Sequence, residues 1–167
     1  MIMSMYQASV PVFQMRLKSL SNCLRKAEAN AEERKIDPAV LLNDRLAPDM
    51  LRLISQVQIA TDHAKGAPSR LARREIVRFE DTESSFADLQ ARIARTLDLL
   101  ATFEAAEIDG SEEVAILIKG RTRDLSFTGI EYLQNFAMPN FYFHITTAYN
   151  ILRHNGVPLG KVDFLTP

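Results

Sequence analysis

Four stretches of this chain carry apolar side chains at alternating steps of four and three, and a stripe that narrow is buried only against other stripes of its kind. The first runs through Phe13, Leu17, Leu20, Leu24, Ala27 and Ala31, between about residues 5 and 34. The second is Leu46, Met50, Leu53, Val57, Ala60 and Ala64, and the third is Phe86, Leu89, Ile93, Leu97, Leu100 and Phe103. The fourth is Ile130, Leu133, Ala137, Phe141, Ala148 and Ile151. Long amphipathic helices satisfy one another most simply as an all-α four-helix bundle. At 167 residues the chain suits one domain, spanning 1–167.

Punctuation residues sharpen the boundaries. Ser4 and Gln7 have capping-box spacing, while Pro11 suits a start at Ser9, and the two starts stay open. Asp37-Pro38 predicts a short helix to about Asp44. Pro48 opens the second long helix and Gly66 is expected to close it as a left-handed cap. Residues 67–80 read as a connection with a turn near Leu71. Asp81 or Thr82 is expected to cap the third helix. After Asp109-Gly110 the period changes: Val114–Ile118, a turn at Lys119-Gly120 and Leu125–Phe127 predict a short β-hairpin between the third and fourth helices. Thr128 and Glu131 form a T-x-x-E capping box for the fourth helix, which Pro139 kinks and Gly156 ends. The remaining tail should lie along the surface.

Charge and cysteine content narrow the function classes. Twenty basic and twenty-one acidic side chains leave a net charge of -1, which gives no reason for nucleic-acid binding. The single cysteine, Cys23, excludes an internal disulfide framework and a multi-cysteine metal site, and suits a cytoplasmic setting. No run of eighteen apolar residues occurs, so no membrane span is predicted and the protein is expected to be soluble and unprocessed.

The chemistry-bearing residues are few. Asn140 and His144 lie one turn apart on the fourth helix, and the same face carries Ala137, Ala148 and Ile151, so His144 should point into the bundle. An inward imidazole serves as a ligand-binding group or base, although a core histidine is more often satisfied by one hydrogen bond. Asp49, Gln56 and His63 follow at intervals of seven along the second helix, a polar row of the kind that builds bundle sites or simply faces water. Tyr142 adds an aromatic wall. Arg70, Arg73, Arg74 and Arg78 cluster without interleaved aromatics, as a solvated loop would. Gly156 to Lys161 lacks the spacing and hydroxyl of a phosphate loop. Cys23 has no neighbouring base and reads as inert.

Several of these segments resemble a known family. Leu46–Gly66, opened by R-L-A-P-D-M and closed by A-T-D-H-A-K, is one. Pro139–Leu165, P-N-F-Y-F-H-I-T-T-A-Y-N-I-L-R-H-N-G-V-P-L-G-K-V-D-F-L, is another, together with D-T-E at Asp81 and F-T-G at Phe127. Over nearly the whole chain the sequence resembles an uncharacterised bacterial family of the DinB-like four-helix-bundle superfamily. Better-known members of that superfamily bind a divalent metal through three histidines and include thiol-dependent transferases and a mycothiol-dependent maleylpyruvate isomerase. The resemblance places His144, Arg153 and Gly156 on the second half of the fourth-helix motif H-x-x-x-H, nine residues, arginine, three residues, glycine. Asn140 stands where the first histidine belongs, and the second-helix ligand position falls on Gln56. Neutral amide oxygens bind transition metals poorly.

These readings lead to a small-molecule pocket around His144, lined by Asp49, Gln56, Asn140 and Tyr142, with a degraded metal triad and no residue assigned a catalytic role. No cofactor is expected. A divalent metal at low occupancy would use His144, Gln56 and Asn140, or a site shifted toward Asp62 and His63. The alternatives are a metal-dependent thiol transferase or hydrolase, as the resemblance implies, and a non-catalytic stress-related binding or dimerisation module. Val12, Met15, Leu51 and Ile59 flank the stripes as candidates for a homodimer face.

Overall fold

The computed structural model describes residues 3–120 and 122–167. Its long helices are α1 (Val10–Glu33), α3 (Leu53–Leu71), α4 (Phe86–Leu100) and α7 (Met138–His154), with the short α2 (Pro38–Asn43) and α5 (Ala105–Ile108) in the connections. Strands β1 (Ile116–Ile118) and β2 (Leu125–Phe127) pair antiparallel, with Leu117 opposite Ser126. A short helix α6 (Gly129–Tyr132) leads through a π-helical turn, Leu133–Ala137, into α7, and α8 (Lys161–Leu165) closes the chain. The four long helices bury their stripes in one cluster that includes Phe13, Leu17, Leu24, Val57, Leu89 and Phe141. The architecture is the expected helical bundle with a hairpin between its third and fourth long helices. Among the described residues no helix is long and apolar enough to cross a membrane.

Both starts suggested for the first helix exist. Ser4 and Gln7 exchange the two hydrogen bonds of a capping box around a preliminary turn, and Ser9 then precedes α1, with Pro11 in its first turn where its missing N–H costs nothing. Asp37 caps α2 as expected, accepting from the Ala39 N–H at 2.9 Å.

The ends of α3 and the start of α4 differ from expectation. Residues 46–52, including Pro48, precede the helix, which begins at Leu53. Gly66 does not end it: the helix continues through Gly66 and Pro68 to Leu71 because every residue from Ala64 to Ser69 is buried, and burial on all sides outweighs weak helix propensity. The left-handed cap is Arg73, at φ 54°, where Arg73 N–H bonds to Arg70 C=O and Arg74 N–H to Ser69 C=O. Neither Asp81 nor Thr82 caps α4. Ser85 does, in a reciprocal capping box with Asp88, and Phe103 lies beyond the helix end.

Asp81 is diverted by Arg92, an arginine 2 % exposed on the α4 seam. Its guanidinium donates to Thr61 Oγ1 at 2.7 Å, to Glu83 at 3.0 Å and to Asp62 at 3.0 Å, and pairs with Asp81 at 3.0 Å. The D-T-E segment is thus a strap tied across α3 and α4. The F-T-G segment is equally structural: Thr128 and Glu131 complete the predicted capping box, and a Cβ at Gly129 would collide with the Ser111 carbonyl. The π-helical turn lies where Pro139 would strike the Asn135 carbonyl in an α-helix, and widening the helix there relieves the clash. Gly156, at φ 81°, ends α7 with Val157 N–H bonded to Leu152 C=O at 3.1 Å. The tail lies along the surface, where Lys26 pairs with Asp163 at 2.5 Å and holds α8 on α1.

Candidate functional site

The packing of α7 against α3 brings His144 onto Gln56. Their contact, Nδ1 to Oε1 at 2.7 Å, joins residues 88 positions apart, and both side chains are buried, Gln56 at 1 % exposed and His144 at 9 %. Gln56 sits in the first turn of α3, and its amide Nε2 donates to the Leu51 carbonyl just ahead of the helix at 3.0 Å. That bond orients the amide with its oxygen toward the imidazole. An amide oxygen only accepts, so His144 Nδ1 carries the proton and donates.

His63, two turns further along α3, lies beside the same ring. The two imidazoles are near-parallel, 16° between planes, with centres 6.1 Å apart. Phe143 meets His144 edge-on at 5.2 Å, and Phe136, carried by the π-helical turn, meets His63 at 6.0 Å. Burial, then the neighbouring His144, push the His63 pKa down to about 4, with Arg70 and Lys65 adding to the effect and Asp62 opposing it. Burial also lowers His144. Both rings are therefore neutral at neutral pH.

The other expected site residues are dispersed. Asn140 lies one turn before His144, half-buried, with its amide turned back to the Phe136 carbonyl at 2.7 Å. Tyr142, two residues from His144 and so on another face of α7, is 37 % exposed and lines a trough with Pro11, Val12, Met15, Phe164 and Leu165. Asp49 is exposed in the irregular stretch ahead of α3. Asp62 is committed to Arg92 and Lys65. Arg74 of the basic cluster pairs with Glu107, and Arg70 donates to the Tyr132 hydroxyl at 3.1 Å. Burial raises the Cys23 thiol to about 11, which suppresses the thiolate. Arg153 and Gly156 serve the end of α7, where Arg153 donates to the Val157 carbonyl at 2.9 Å.

A three-histidine metal centre does not fit these residues. The Oε1 of Gln56 faces a proton on His144, and the amide of Asn140 is turned along its own helix. Among the described residues no group of three His, Cys, Asp or Glu side chains is placed to hold an ion. Sequence reasoning missed Phe136, which packs on His63, and Arg92 as the anchor of the strap. An arginine beside Ile93, three residues after Leu89 on an apolar seam, was the only signal for the last.

The bundle and its hairpin define a DinB-like helical protein. The chain belongs to the family described as a domain of unknown function, DUF1993, whose model matches residues 5–165. It is similar to a DinB family member protein from Shewanella denitrificans of known crystal structure, with 44 % identity over 97 % of this chain and 92 % of that one, and a TM-score of 0.88. No curated protein matches it.

Proposed function

We propose that this chain binds a small molecule at the face where His144 meets Gln56 and His63, with Asn140 at its margin, and that it does so without a tightly bound transition metal. The observation that carries this reading is the His144–Gln56 hydrogen bond, which anchors one edge of a buried imidazole and fixes its second nitrogen as an acceptor. A histidine serving only to fill the core needs neither a second imidazole stacked on it nor two aromatic walls. Binding is the assigned role, and no side chain is assigned a catalytic step. A cytoplasmic setting suits the lone buried thiol of Cys23. A fragment screen read on the ring signals of His63 and His144 by NMR tests the proposal: small molecules that shift both support it, and a screen in which none moves either ring refutes it.

A second reading concerns assembly. Met15, Tyr142 and Leu165 are 48 %, 37 % and 46 % exposed around an apolar hollow of about 390 Å³ between α1, α7 and α8, and such a face favours a homodimer. Of the other flanking residues, Leu51 is exposed and Val12 and Ile59 are half-buried. Light scattering that gives a mass near 18.8 kDa at micromolar concentration refutes the dimer.

A further inference from the structure

We infer that the histidine site selects hydrogen-bond donors: Gln56 holds His144 as the Nδ1–H tautomer, so that Nε2 offers a lone pair to a flat aromatic ligand bearing a hydroxyl, a phenol in its simplest form. The inference rests on the small-molecule reading above and adds the chemistry of the ligand. Its origin is a relay of two bonds that begins in the backbone. The Leu51 carbonyl accepts from Gln56 Nε2 at 3.0 Å, and Gln56 Oε1 then accepts from His144 Nδ1 at 2.7 Å. Flipping the amide would set its oxygen against the Leu51 carbonyl and its N–H against an N–H, losing both bonds inside the protein, where unpaired polar groups are costly. In a neutral imidazole with Nδ1 protonated, Nε2 is an acceptor.

The other edge of that ring has no protein hydrogen-bond partner among the described residues. Among the described residues the buried side-chain polar atom without a partner is Ser111 Oγ, so His144 Nε2, which no described protein group bonds, keeps a side toward water. Beside the imidazole lie the near-parallel His63 ring and the edge-on Phe143 ring, with Phe136 against His63, and this aromatic surface suits a flat π-system. Both imidazoles are neutral at neutral pH, and a carboxylate would meet a lone pair where it needs a proton. Lys65 is already paired with Asp62, and Arg70 is engaged by Tyr132. A hydroxyl-bearing aromatic therefore matches the site, and an acceptor-only ligand does not. Gln56 is a positioning residue here, since it acts on the ligand only through His144.

Long-range ¹⁵N–¹H NMR of the histidine rings, with phenol and anisole as probes, tests this directly. The expected result is a protonated Nδ1 and a bare Nε2 on His144, a phenol-induced shift of Nε2, and phenol binding about tenfold tighter than anisole, the value of one hydrogen bond. Gln56→Leu should populate both tautomers and narrow the preference for phenol. Gln56→Glu, whose carboxylate accepts from Nδ1 but no longer donates to the Leu51 carbonyl, should keep Nδ1 protonated where Gln56→Leu does not. A protonated Nε2 in the wild-type protein, or anisole binding as tightly as phenol, overturns donor selection while small-molecule binding stands. No response to phenol overturns it too, and if the wider fragment set also leaves both rings unmoved, the binding reading falls with it.

Discussion

Acidification should destabilise this protein well above the range in which its carboxylates titrate, and His63 should be the chief cause. Its pKa of about 4 in the fold lies below the ordinary 6.5, so the unfolded chain binds the proton more readily. The histidine's neutral burial is then compatible with full stability above pH 6.5, and stability falls as the pH drops from there toward 4. The whole gap is worth about 3 kcal/mol at about 1.4 kcal/mol per pH unit, and integrating the linkage from pH 7 to pH 5 leaves about 2 kcal/mol. Lowered by burial, His144 acts in the same direction. Urea unfolding at the two pH values is the assay, and the midpoint should fall by about 1 M on acidification. In His63→Gln the loss over that interval should shrink to less than about 1 kcal/mol, because the larger of the two proton-linked terms is gone. An unchanged loss of about 2 kcal/mol in the variant, or a midpoint that rises on acidification, would refute the reasoning.

Three further perturbations follow from the packing. Arg92→Met should cost about 3 kcal/mol, since it strips Glu83 of its buried cation and frees the strap; the melting temperature should fall by about 6–12 °C, and amide exchange over residues 78–85 should quicken. Gly129→Ala should cost about 2–3 kcal/mol by forcing a methyl against the Ser111 backbone, whereas Gly156→Ala, where a Cβ has Arg34 Nη1 at 3.4 Å, should cost only about 1 kcal/mol for its left-handed φ; equal effects in chemical denaturation would contradict the clash. Protein purified without a histidine tag should carry zinc and nickel far below one ion per chain by mass spectrometry, and a stoichiometric ion lost in His144→Ala would overturn the metal-free reading of the site.

Much of this molecule was legible in one dimension because the relevant physics is local. A four-three apolar period determines a helix and its buried face, and it placed Phe13, Val57, Leu89 and Phe141 in the core and turned His144 inward. Asp37, Thr128 with Glu131, and Gly156 act within a turn of themselves, so their caps were readable too. Tertiary structure decided what depends on neighbours far along the chain. Gly66 and Pro68 remain helical because surrounding elements bury them, and Asp81 gives up its capping role because Arg92, eleven residues on, competes for it with a charge. The candidate site lies at the end of that scale. Periodicity says which face of α3 carries Gln56 and which face of α7 carries His144, but not how far one helix slides along the other. A slide of one turn, about 5.4 Å, would separate the amide from the imidazole, and only the interlocking of side chains along the whole α3–α7 contact sets that offset.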